Sequence, residues 1–190
     1  DAIGTTEWTL KNGIQVIIKQ TPYEADAINI EAVADGGAAI FSDEDYYSAQ
    51  MLSSVMSMSG ISKFSASDLR KQLSGKTASA GLGVSAYEHV VTASAALKDV
   101  ETMFQLLYLN FTAPRFSEDD FATLMKRYDA MLANQLTNPD FVFGQQLMKT
   151  LYSDNYRRQQ LTPEILSSVK FERMADIHID RIIASPMIRA

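Results

Sequence analysis

Apolar and polar positions alternate over residues 27–34. Ile28, Ile30, Ala32 and Ala34 fall on one face, and Asn29, Glu31 and Val33 on the other, which predicts a strand half buried against a core. Asp35-Gly36-Gly37 ends it. Upstream, two β-type runs at 6–11 and 14–19 flank Asn12-Gly13, a pair that tolerates positive φ and predicts a hairpin. Small and β-branched residues alternate again over 77–85 and 89–97, predicting two more strands joined by a tight turn.

Elsewhere the period is helical. Tyr47, Met51, Leu52, Val55 and Met56 form an apolar stripe, opened by Ser42 with Asp45 as capping partner and stopped by Gly60. Asp43, Glu44 and Asp45 place negative charge on that helix's first turn, where its dipole favours it. Ser65 with Asp68 opens a short helix closed by Gly75. Asp99 is expected to cap a helix with the stripe Val100, Met103, Phe104, Leu107, Tyr108 and Phe111, and Ser117 one with Phe121, Leu124, Met125, Tyr128, Leu132 and Leu136. Asn138-Pro139 and Thr162-Pro163 each read as a cap followed by a first-turn proline. A last helix is expected over 171–183, ended by Ser185-Pro186, with a strand beginning near Met187 to Arg189. Strands, helices, a hairpin and more helices in that order predict an α+β fold, a mostly antiparallel sheet with helices packed on one face.

Composition narrows the function classes. The 190 residues are 46% apolar and 21% charged, ordinary values for one domain with a sizeable core. A net charge of −6 gives no basic face for nucleic acid or anionic membrane. The absence of cysteine removes disulfides, thiolate metal sites and thiol catalysis. No apolar run approaches the roughly 18 residues of a membrane span.

Candidate chemistry is sparse. His-x-x-Glu-His on a helix sets two imidazoles one turn apart with a carboxylate to activate water. Ser85-Ala86-Tyr87-Glu88-His89 comes near it, but has serine where the first histidine belongs and lies at a predicted turn, so Glu88 and His89 are expected to be solvated turn residues tolerant of substitution. Asp176, His178 and Asp180 alternate on a predicted helix, where positions two apart diverge by about 200°, so His178 is expected on the helix surface or partly buried. No nucleophile elbow occurs; Gly36-Gly37 and Gly81-Leu82-Gly83 read as turn or bulge, and Met51, Met56 and Met58 as core filler. No residue is assigned a catalytic, cofactor-binding or metal-binding role.

Several segments, in order, are similar to one family. They are Trp8 through Ile17, Ala34-Asp35-Gly36-Gly37, Ser59 through Ser65, Leu73-Ser74-Gly75-Lys76 and Thr112-Ala113-Pro114-Arg115-Phe116. Together they resemble the insulinase/pitrilysin family of zinc metallopeptidases, most of all the third of four homologous domains in long bacterial members. In an active domain of that family the zinc motif falls on the helix ending at Gly60, where the counterparts of His, Glu and His are Met51, Ser54 and Val55. The family's third ligand, a glutamate on a later long helix, has no counterpart over 121–136, where only Asp129 is acidic.

The resemblance implies a non-catalytic homology domain of a zinc peptidase, which binds no cofactor itself and whose parent carries zinc in another domain. It implies as partners the parent's remaining domains and unfolded peptide, enclosed in a chamber, and as location the bacterial periplasm or cell envelope. The alternative is a structural or assembly subunit of the same fold, as in respiratory-complex core proteins. Residues 1–190 are expected to form one such domain lacking the family's closing strand and final helix, with self-association through the exposed sheet edge.

Overall fold

The computed structural model describes residues 4–24 and 26–179. Asp180, the end of the helix expected over 171–183, and the strand expected near Met187 to Arg189 lie outside the described residues.

Strands β1 (Thr5–Thr9) and β2 (Gln15–Lys19) form an antiparallel hairpin. Its loop is longer than two residues: Leu10 N–H donates to Ile14 O, Gly13 N–H donates to Leu10 O, and Gly13 sits at φ +87°. A turn followed by a left-handed glycine is the three-residue hairpin solution, which explains why Gly rather than a β-branched residue stands there.

Strands β3 (Ala27–Asp35), β4 (Ala78–Val84) and β5 (Glu88–Ala96) form a second antiparallel sheet in the order β3-β5-β4. The registers Ala32↔Val91 and Leu82↔Val91 bring Ile28, Ile30 and Ala32 of β3, Ala78, Ala80 and Leu82 of β4, and Val91, Ala93 and Ala95 of β5 onto one face. Gly81 and Gly83 lie inside β4, paired with Thr92 and Val90, rather than at a turn or bulge. The turn is Ser85-Ala86-Tyr87, where Ser85 Oγ accepts the Glu88 N–H at 3.0 Å.

The helices are α1 (Asp43–Ser59), α2 (Ala66–Gln72), α3 (Val100–Thr112), α4 (Glu118–Gln135), α5 (Pro139–Leu151), α6 (Pro163–Ser168) and α7 (Arg173–Ile177). Helices α1 and α3 pack against the sheet, and α4, α6 and α7 pack around α1. The main core joins Leu52, Val55 and Met56 of α1 to Leu82 and Val91 of the sheet, Leu132 of α4, Leu166 of α6 and Met174 of α7. This is the expected α+β architecture, with every strand pair antiparallel.

The predicted caps at Ser42, Ser65, Ser117, Asn138 and Thr162 each accept a first-turn N–H. Asp99 does not. Its carboxylate instead accepts the Thr77 N–H at 2.8 Å, and so ties the start of α3 to the entrance of β4. A buried carboxylate takes the donor that tertiary packing brings to it, and here that donor is not on its own helix.

Candidate functional site

Helix α1 is central because α2, α4, α6 and α7 all pack against it. Met51 is 7% exposed and Val55 fully buried, and both belong to the main core. Ser54, between them in sequence, faces a solvent-open groove of about 660 Å³ between α1, α2 and α4, shared with Ser57, Arg70 and Arg127. The two positions that the family resemblance sets against metal-ligating histidines are thus apolar packing residues, and the one it sets against the general base carries a hydroxyl. Zinc takes nitrogen, oxygen and thiolate ligands; a thioether and an isopropyl group embedded in a core do not fit it. Among the described residues, no cluster of three or more His, Asp or Glu side chains could hold a metal ion.

The two histidines are both buried, which corrects the expectation for each. His89 is 3% exposed and lies inside the sheet, paired across the strands with Ala34 and Val84. It follows Glu88, which is exposed at the start of β5. Strand alternation is the reason: Ser85 to Tyr87 make the turn, so position 89 is the first inward-facing position of β5. The imidazole abuts the backbone at Gly36, where an added Cβ would stand 3.1 Å from its Nε2.

His178 is fully buried beyond α7. Its Nε2 lies 3.0 Å from the Asn110 carbonyl and its ring meets Phe116 edge-on at 6.2 Å. A carbonyl accepts only, so Nε2 carries the proton. Burial lowers the imidazole pKa, against a smaller rise from the bond to Asn110. Asp176 turns instead to Arg173, at 2.8 Å, so Asp176 and His178 diverge as their spacing requires.

The densest polar constellation is structural. Each acid in the first turn of α1 meets a cation from the C-terminal third of the chain. Arg157 Nε donates to Asp43 at 2.6 Å, Lys170 pairs with Glu44, and Arg173 holds Asp45. Arg157 also donates to the carbonyls of Ala39 at 2.9 Å and Phe41 at 2.7 Å, and its guanidinium lies over the Tyr46 ring. Tyr47 Oη donates to the Tyr156 carbonyl, and burial pushes its pKa up to about 12, so it serves as a fixed donor rather than an acid–base group near neutrality. These pairs span 114 to 128 positions of sequence, beyond any helical or strand spacing, so no local pattern signals them.

Two of the segments that carried the family resemblance, Ser59 through Ser65 and Thr112 through Phe116, meet in space. Ser62 N–H donates to Ala113 O, Arg115 Nε donates to Ser59 O at 2.8 Å, and Ile61 bridges Pro114. Gly36 N–H donates to Tyr87 O and Ala38 N–H to Ser85 O, which seats Gly36-Gly37 on the β4–β5 turn. A Cβ on Gly37 would lie 2.4 Å from the Glu88 nitrogen, so only glycine fits.

No protein-family profile matches the chain. It is 25% identical over 150 residues to a probable zinc protease, PqqL, of Escherichia coli, a match covering 79% of this chain and 16% of that protein. It is 25% identical over 155 residues to a PQQL-like zinc protease of Arabidopsis thaliana, covering 81% of this chain and 14% of that one. The crystal structure of the periplasmic protease PqqL from Escherichia coli superposes with a TM-score of 0.78 at 22% identity, over 96% of this chain and 20% of that chain. A peptidase M16 inactive domain from Pseudomonas fluorescens superposes with a TM-score of 0.72 at 16% identity, over 92% of this chain and 42% of that chain. The chain therefore has the fold of a peptidase M16 domain, the insulinase-like zinc metallopeptidase architecture that its sequence resembles.

Proposed function

We propose that this chain is a single non-catalytic domain of a zinc metallopeptidase, that it forms part of the wall enclosing an unfolded peptide, and that it docks to a catalytic half carrying the zinc. The chain spans 16% and 14% of the lengths of the curated relatives it matches, and in this reading the activity belongs to the remainder of such a protein. The observation that carries the reading is helix α1, whose ligand positions Met51 and Val55 are built into the core. Docking is supported by α5, where Phe143, Leu147 and Leu151 recur at four-residue spacing and are each exposed by 45% or more. Large apolar residues aligned on one exposed helix face are surface that a partner covers. A periplasmic setting accords with the relative from Escherichia coli, and no helix among the described residues is long and apolar enough to cross a membrane.

The test is to incubate the purified chain with fluorescent unstructured peptides and to measure binding, cleavage and metal content together. Binding without cleavage is expected, with well under one zinc per chain after dialysis against zinc. One tightly held zinc per chain, or cleavage that survives repurification, overturns the inactive-domain reading.

A further inference from the structure

Four glutamines converge on one pocket. Between α5 and α6 lies a pocket of about 460 Å³ lined by Gln145, Gln146, Gln159 and Gln160, with apolar surface from Val142 and Ile165. Gln159 is committed, donating to Asp154 at 2.8 Å. Gln145 donates only a long bond to Leu161 O at 3.5 Å, and the Gln146 side chain makes no hydrogen bond among the described residues. Gln160 Oε1 is buried and has no hydrogen-bond partner among the described residues. A buried acceptor left unpaired costs about 1–3 kcal/mol, so an orphan that lines a pocket marks where a donor belongs.

We infer that this pocket takes a short extended stretch of polypeptide through its backbone, without reading charge. A carboxamide presents one acceptor and two donors, the groups of a peptide bond. An extended chain offers N–H and C=O in alternation, so it can supply a donor to Gln160 and acceptors to Gln145 and Gln146. Charge stays at the exposed rim: Lys149 is paired with Asp154 at 3.5 Å, and Glu164 stands in the exposed first turn of α6. Recognition by carboxamides over an apolar surface tolerates many sequences, as contact with unfolded peptide requires. The inference rests on the chamber reading above and assigns that peptide contact a place.

Fluorescence anisotropy with an uncharged peptide of Gly, Ser, Thr and Ala tests it, alongside the same peptide N-methylated along its backbone. The unmodified peptide is expected to bind with an affinity nearly constant between about 0.05 and 0.5 M salt. N-methylation, Gln160→Leu and Gln146→Leu are each expected to weaken it at least about tenfold. Gln160→Leu removes a buried unpaired acceptor, so its urea midpoint should hold or rise; if it fails to fold, Gln146→Leu on the exposed side decides. Binding that none of the variants weakens places the contact elsewhere and overturns the pocket while leaving the chamber reading. No binding of any unstructured peptide overturns both.

Discussion

The guanidinium of Arg173 grips Asp45 through two of its nitrogens, at 2.9 and 3.0 Å, across 128 positions of sequence. This parallel pair clamps α7 onto the first turn of α1, and bidentate geometry makes it the strongest member of the acid–base row there. The hydrogen bond from Arg173 is the largest cause holding the Asp45 carboxyl below the usual aspartate pKa. Removing the cation leaves a half-shielded carboxylate unpaired. Arg173→Met is expected to lower stability by about 1–2 kcal/mol. Because the folded pKa lies below the unfolded one, the unfolded chain binds the extra proton. The contribution of Asp45 is therefore full above the unfolded value near 3.8 and is lost as pH falls through the folded value. Urea melts of both chains at neutral pH and near pH 3 should show the difference between them shrinking in acid.

His89 and Gly36 form a second long-range pair. Gly36 sits at φ +135°, a conformation that side chains rarely adopt, with the His89 imidazole where its Cβ would point. Gly36→Ala is expected to cost about 1–3 kcal/mol, and His89→Ala about 2 kcal/mol or more from the cavity it leaves in the sheet. Glu88→Ala, one residue away and exposed, should stay within about 0.5 kcal/mol. Equal small effects at 88 and 89 in denaturant melts would show that His89 is not buried.

His178 makes stability depend on pH near neutrality. Its folded pKa is lowered by burial, so the unfolded chain takes up a proton that the folded chain resists. Stability is thus full above the unfolded value of 6.5 and falls as pH drops below it. Urea midpoints measured at about pH 7.5 and 5.5 should fall more for the natural chain than for His178→Phe, which cannot titrate. Parallel losses would remove His178 as the source.

Self-association should follow concentration. Trp8, Ile17 and Ile18 are exposed on the β1–β2 hairpin, the outer edges of β3 and β4 have no neighbour among the described strands, and α5 exposes its apolar stripe. Sedimentation velocity is expected to show dimers or larger species as concentration rises. The double variant Phe143→Ser, Leu151→Ser should shift the distribution toward monomer. A natural chain that stays monomeric at millimolar concentration would show that these surfaces do not pair.

What the sequence by itself determined is what lies within a turn or a strand. Hydroxyl and amide caps at Ser42, Ser65, Ser117, Asn138 and Thr162 bond to N–H groups two or three residues on, so local spacing suffices to read them. Alternation in β3 likewise separated its two faces. The lack of a histidine pair at helical spacing argued against a zinc site without any coordinates. Tertiary structure decided where isolated polar side chains go. Asp99 left its own helix for Thr77, His89 and His178 were drawn into the core, and Asp43, Glu44 and Asp45 found cations more than a hundred residues away. The cause is that one residue carries no period. A stripe averages many weak preferences into a legible face, whereas a single imidazole or carboxylate is placed by whichever neighbours chain closure delivers.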